Sequence, residues 1–235
     1  MSLTFRRRLR YALAAASLAL LLGAAISAPG TASAGGSQVL ATLVAAHPVH
    51  AAPAAKARVL SVLPALTPIT RTATTVPVLA VRGGWLLVRL PGRPNGHTGW
   101  ISAARTHRSV TFWKLVVHIA TRTVTVDWGG RPVRVFEAVV GAPATATPFG
   151  SFFVEEALAL GPAQVGAPFA LALSARSNVF QEFDGGPGQI AIHGLDNVGG
   201  VPGTAASHGC IRVTDADVRW LGARIGPGVP VTIAR

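Results

Sequence analysis

The sequence predicts a mostly β protein with one principal helix, and three observations predict it. From about residue 58 to the C-terminus, short runs rich in branched and aromatic residues alternate with links bearing Gly, Pro and Asn. Only the stretch from Thr214 to Ile225 stands out with apolar residues at helical spacing, namely Val218, Leu221 and Ile225. Half of the residues are hydrophobic and five are tryptophan. That is enough apolar surface for a core that needs no disulfide, in a chain with a single cysteine.

The N-terminus reads as an export signal. Arg6, Arg7, Arg8 and Arg10 precede an apolar run from Tyr11 to Ile26, followed by Pro29, Gly30 and Ala32-Ser33-Ala34. A basic head, an apolar middle and an Ala-x-Ala exit predict a secretory signal peptide over residues 1–34. The apolar run falls short of the roughly 20 residues of a membrane span, so no stable span is expected after cleavage. The region holds no cysteine for a lipid anchor, and its arginine pair is a weak twin-arginine signal. The full chain has a formal net charge of +12, and removing the leader takes away four arginines and no acid, which leaves +8. No basic run interleaved with aromatic residues follows, so nucleic acid is not the expected partner. An anionic cell-wall surface is.

Residues 35–57 are Ala- and Pro-rich without a period of 2 or 3.6, and are expected to be a flexible spacer with His47 and His50 solvated. Residues 58–107 read as a small β region. Val76–Val81, Trp85–Leu90 and Gly99–Ile101 are strand-like, and the link 91–96 ends in Asn95-Gly96, a pair suited to a hairpin. This texture resembles the small SH3-like barrels that accompany bacterial cell-wall enzymes. From Phe112 onward, strands are expected at Leu115–Ile119, Arg122–Asp127, Val133–Val140, Gly150–Glu155, Phe169–Ser174, Val179–Phe183, Gln189–His193 and Val229–Ala234. Trp128-Gly129-Gly130 supplies a hairpin turn. Thr214 is the expected cap of the helix, with Asp217 three residues on, and Gly226-Pro227-Gly228 stops it.

The chemistry centres on Cys210, in the run Ser207-His208-Gly209-Cys210-Ile211-Arg212, seventeen positions after His193. Exported proteins keep cysteines mostly as disulfide pairs, so a lone thiol with histidines nearby is a candidate nucleophile rather than an inert buried hydrophobe. Residue chemistry divides the base role between His193, which ends an apolar strand, and His208, which shares a face with Cys210 if that run is extended. Zinc would need three protein ligands, and His193, His208 and Cys210 are the only plausible set. His208 and Cys210 crowd each other, so neither metal nor cofactor is expected.

These residues resemble the L,D-transpeptidase catalytic signature of bacterial cell-wall enzymes. The resemblance rests on Ile192-His193-Gly194, on Ser207-His208-Gly209-Cys210-Ile211-Arg212, and on the upstream Thr147-Pro148-Phe149-Gly150-Ser151-Phe152. It covers roughly residues 112–235 and implies an L,D-transpeptidase-type β-sandwich or barrel with its principal helix after the catalytic cysteine. It further implies that Cys210 attacks a stem tetrapeptide at diaminopimelate, expels D-Ala, and passes the acyl group to the amine of a neighbouring stem. Donor and acceptor stem peptides are then the partners, in the periplasm or at the cell wall. In the family the upstream histidine moves the proton, here His193, which leaves His208 and Ser207 in support. The resemblance places the oxyanion at the backbone N–H groups of Gly209 and Cys210, beside Gly194. Arg212 would hold a substrate carboxylate, or else pair structurally with Asp215 or Asp217. Glu182 and Asp184 read as a solvated turn rather than as an amine site. Two rival readings are a carboxypeptidase-type hydrolase on the same substrate and a non-catalytic wall binder. A papain-like enzyme is disfavoured because its cysteine precedes its histidine.

Overall fold

The computed structural model describes residues 30–31, 36–182 and 186–235, and nearly all of the expected leader lies outside them. Eight strands form an N-terminal sheet. They are β1 (Gly30–Thr31), β2 (Gln38–Leu43), β3 (His47–His50), β4 (Val59–Leu63), β5 (Thr75–Arg82), β6 (Trp85–Arg89), β7 (Thr98–Ser102) and β8 (Thr106–Thr111). Their order is β4-β3-β7-β6-β5-β2-β8, with β1 on β5.

This corrects the spacer expected over residues 35–57. Strand β2 lies between β5 and β8, and β3 between β4 and β7. Ala41, Leu43 and Val49 are buried in the N-terminal core. His47 and His50 are buried rather than solvated. Both ring nitrogens of His47 meet backbone carbonyls, those of Ala45 and Ala104, at 2.7 and 2.9 Å. His50 packs edge-on against Trp85 with ring centroids 5.0 Å apart.

The second sheet is built from β9 (Trp113–His118), β10 (Thr123–Trp128), β11 (Arg131–Glu137), β13 (Gly150–Ala159), β14 (Phe169–Arg176), β15 (Gln189–His193), β17 (Ile211–Arg212) and β18 (Pro230–Ala234). Its order is β11-β10-β9-β18-β13-β14-β15-β17, and β12 (Val140–Gly141) pairs separately with β16 (Ala205–Ser207). The β10–β11 hairpin turns at Gly129 and Gly130, whose φ angles of 60° and 82° suit glycine. Helix α1 (Asp215–Gly222) is capped as expected, the Thr214 hydroxyl accepting the Asp217 N–H at 3.2 Å. Val218, Leu221 and Ile225 are buried in the core of this second sheet. The protein is thus mostly β with one α-helix among the described residues. No helix among them is long and apolar enough to cross a membrane.

Of the strand expected at Val179–Phe183, the described residues 179–182 form no strand. The Ser177 hydroxyl accepts the Val179 and Phe180 N–H groups at 3.1 and 3.0 Å, which bends the chain away from a ladder.

Strand β13 serves both cores. Successive side chains of a strand face opposite sides. Phe152 accordingly packs in the C-terminal core and Phe153 in the N-terminal one. A bulge after Val154 lets both following acids point into protein. Glu155 meets Arg176 at 3.0 Å and the Gln189 amide at 2.9 Å. Fully buried Glu156 accepts the N–H groups of Ile69 and Thr70, at 3.2 and 2.6 Å, and the Thr70 hydroxyl at 2.7 Å. The two sheets are therefore joined through buried side chains of β13. Removing the Phe153 ring costs about 3–5 kcal/mol for an aromatic-to-alanine change. Phe153→Ala should lower the urea midpoint accordingly and weaken hydrogen-exchange protection in β5 and β6. A loss under about 1 kcal/mol would mean that the ring does not join the two cores.

Candidate active site

Strand β15 carries Ile190 and Ile192 into the core and ends at His193. Strand β17 lies parallel to it, with Ile192 opposite Ile211 and His193 opposite Arg212. This register sets Cys210, just ahead of β17, beside Ala191, whose backbone amide favours the ionised form of the thiol. The connection between the two strands starts at a forced glycine. A Cβ on Gly194 would collide with the Ala167 carbonyl oxygen, because the Gly194 N–H reaches the Gly166 carbonyl at 2.9 Å. The next amide, Leu195, donates to the Asp215 carboxylate at 2.8 Å. The first residue of α1 thus fixes the chain where it leaves His193. Nothing local in the sequence flagged Asp215 for this role.

The turn before the cysteine is braced from two sides. The Ser207 hydroxyl donates to the Cys210 carbonyl at 2.5 Å and accepts the Gly209 N–H at 3.1 Å. The Thr145 hydroxyl donates to the Ser207 carbonyl, and the Thr147 hydroxyl to the Gly209 carbonyl, both at 2.9 Å. Thr147 in turn accepts the Gly141 N–H at 2.9 Å. Its buried hydroxyl is therefore fully used, which explains a threonine at the head of the Thr147–Phe152 segment. Gly209 has φ near 119°, which favours glycine. One expectation changes, since the Gly209 N–H is taken by Ser207 and does not face the cavity as an oxyanion donor. Ser207, buried, braces the turn through backbone bonds, in keeping with a supporting place.

Cys210, His193, His208 and Arg212 line one cavity of about 90 Å³, with Phe180 and Gln189 among the other walls. His193 is buried, and its Nδ1–H donates to the Gly194 carbonyl at 2.8 Å, which leaves Nε2 as the proton acceptor. Burial holds the His193 imidazole below its ordinary pKa. The Gly194 carbonyl opposes that, and the Arg212 charge reinforces it. Burial pushes the Cys210 thiol up, against the Ala191 N–H and the Arg212 charge, which both favour thiolate. The resting pair at neutral pH is thiol and neutral imidazole. His208 is exposed, and its ring meets that of Phe180 with centroids 5.9 Å apart.

Arg212 forms neither expected ion pair. Its Nη1 donates to the Gly199 carbonyl at 3.1 Å and its buried Nε has no hydrogen-bond partner. Asp217 instead meets Arg134 at 3.4 Å. Glu182 is exposed, and Asp184 lies outside the described residues. Among the described residues no group of three or more His, Cys, Asp or Glu is placed to hold a metal ion.

The family model of the YkuD L,D-transpeptidase catalytic domain matches residues 113–233, which run from β9 to the last strand. The chain belongs to the YkuD L,D-transpeptidase family. A curated relative from Bacillus subtilis (strain 168), which carries the name L,D-transpeptidase YkuD, is 29% identical over 126 residues. That match covers 52% of this chain and 66% of the relative, so the chain spans just under two thirds of that protein. Among solved structures, an L,D-transpeptidase from Mycobacterium tuberculosis H37Rv aligns with a TM-score of 0.44 and 16% identity, over 69% of this chain and 90% of that one. One from Mycobacterium smegmatis aligns at 0.41 and 17% identity, covering 69% and 91%. The YkuD match encloses Cys210, His193 and Thr147 and leaves the N-terminal sheet outside it.

The two pKa displacements give this site a definite pH behaviour. The unfolded chain binds a proton at His193 below about pH 6.5, where the folded one resists it, so stability falls as pH drops through that value. The unfolded thiol ionises above about pH 8.5, where the folded one resists it, so stability also falls as pH rises beyond that. Alkylation of Cys210 by iodoacetamide should therefore climb with pH, with a midpoint above the usual thiol range and no plateau at pH 6–7. A rate already maximal at pH 6.5 would show a resting thiolate–imidazolium pair instead.

Proposed function

We propose that this chain is an exported peptidoglycan L,D-transpeptidase, and one observation carries the reading. The sole thiol and a buried imidazole with a fixed tautomer line the same small cavity. YkuD-family membership, which covers the whole β9–β18 region, supplies the reaction class. The donor is a stem tetrapeptide, attacked at the carbonyl of the L-centre of diaminopimelate.

In this mechanism His193 Nε2 takes the Cys210 proton as sulfur adds to the carbonyl. A neutral acceptor and an un-ionised thiol suit this step, since the charge pair forms only during attack. The Cys210 N–H stabilises the oxyanion, the Gly209 N–H being engaged by Ser207. Collapse breaks the C–N bond, and imidazolium gives its proton to the departing D-Ala amine. The thioester is then attacked by the side-chain amine of a second stem, whose proton passes to His193 before the thiolate leaves. Arg212, whose Nε lacks a partner, offers a cation to a stem carboxylate at the cavity wall. His208 lies at the exposed side, in contact with Phe180, and supports rather than exchanges the proton.

Three proteins incubated with a carbapenem and read by intact mass test this assignment. The unsubstituted protein should gain one covalent adduct, Cys210→Ala none, and His193→Ala an adduct formed at least about a hundredfold more slowly. His208→Ala should stay much closer to the unsubstituted rate. Equal adduct on the Cys210→Ala protein, or none on any, rejects the assignment. A His208 effect larger than that of His193 moves the base to His208.

A further inference from the structure

One wall of the cavity is held in place by a residue of the other sheet. The connection from β14 to β15 contributes Ser177, Phe180 and Gly188 to the lining. The link between β6 and β7 in the N-terminal sheet reaches across to it. Arg93 Nη2 donates to the carbonyls of Ser177 and Phe180, at 2.8 and 3.0 Å, and Nη1 donates to that of Pro187 at 2.9 Å. One guanidinium therefore ties together carbonyls from both ends of the connection. Beside it, Asn95 brackets the backbone of Arg176. Its Oδ1 accepts the Arg176 N–H at 2.8 Å, and its Nδ2 donates to the Arg176 carbonyl at 2.7 Å. The Gly92 N–H adds a bond to the Ser174 carbonyl at 3.1 Å.

We propose that Arg93 is a positioning residue for the catalytic cavity, so that the N-terminal sheet helps to shape the site for the donor stem. This rests on the transpeptidase reading for its substrate and on geometry alone for its mechanics. The path is short. Arg93 holds the Phe180 carbonyl, the Phe180 ring meets His208, and His208 stands two residues from Cys210. A planar fork with several donors can satisfy three carbonyls at once, whereas an ammonium on a flexible stem lacks that preset geometry. Arg93 is exposed as a residue, and two of its three bonds lie at the surface. Water can replace those bonds when the side chain is removed. The effect should therefore fall on the position of the wall and leave the fold intact.

The test compares the unsubstituted chain with Arg93→Ala, Arg93→Lys and Asn95→Ala. Four quantities are measured for each: carbapenem adduct formation, iodoacetamide alkylation of Cys210, thermal midpoint, and hydrogen exchange over 177–182 and 186–188. The small alkylator needs only the thiol, whereas the bulkier acyl donor needs the wall. Arg93→Ala should slow carbapenem acylation about tenfold or more, since small misplacements in a site cost that much. It should leave alkylation within about twofold and speed exchange in both segments, with Arg93→Lys intermediate. Acylation unchanged by Arg93→Ala overturns the proposal. So does parallel slowing of both reagents together with a lowered thermal midpoint, which marks a merely structural role. If the unsubstituted protein forms no carbapenem adduct, the transpeptidase reading fails on its own. The exchange data then decide the Arg93 claim, and unaltered exchange in the Arg93→Ala protein sinks it.

Discussion

The parallel pairing of Ile192–His193 with Ile211–Arg212 is the constraint on which the rest of this site depends. Parallel neighbours cannot be joined by a tight turn and need a connection of a dozen or more residues. Here the chain leaves His193, travels through the glycine-rich segment 194–206, and returns through β16 and the turn at Ser207. A slip of one residue in that register would move Cys210 away from Ala191 and turn the side chains of β17 to the opposite face. The surrounding bonds resist such a slip. The Val213 N–H reaches the His193 carbonyl at 3.0 Å, and Arg212 exchanges backbone bonds with Val139 on its other side. Asp215 secures the departing chain at Leu195, and Thr145 and Thr147 secure the returning one.

That tight packing also sets the chemistry. Burial withdraws charge from both reacting groups, favouring a neutral imidazole and an intact thiol. The same burial strengthens the electrostatic contacts made as charge develops during attack. Nearby, Glu155 is a carboxylate that burial pushes up in pKa and that Arg176 pulls back down. Gln189 links this pair to the cavity, since it bonds Glu155 and lines the site itself. The N-terminal sheet reaches the same region through Glu156, Phe153 and the Arg93 link. It is joined to the catalytic region by these contacts between two separate cores.

Much of this was written in local signals. The Thr214 cap and the Gly129-Gly130 turn are short-range features, and each stands where it was expected. What the sequence hid is long-range. Strand β2 contains three small or polar residues, Gln38, Ala41 and Thr42, in six, and it becomes a strand because β5 and β8 flank it. Its composition alone suggested a spacer. Val179–Phe183 looked like a strand by residue type, yet Ser177 bends the backbone at Val179 and Phe180, and Arg93 takes three of the carbonyls in the connection. The Gly209 amide was expected to face substrate, but a serine hydroxyl two residues away reached it first. Arg93, Glu156 and Asp215 act across 20 or more positions of chain, a distance at which no periodicity or motif speaks.

The central claim is that Cys210 carries the acyl group of a stem peptide between two amines. Rapid mixing of the protein with a purified disaccharide tetrapeptide, followed by acid quench and peptide mapping, tests it most directly. The account predicts a thioester on Cys210 with the mass of the stem less its terminal D-Ala, D-Ala released in equal amount, and decay of the adduct on addition of an amine acceptor. D-Ala release with no adduct on Cys210, or an adduct on any other residue, would contradict it.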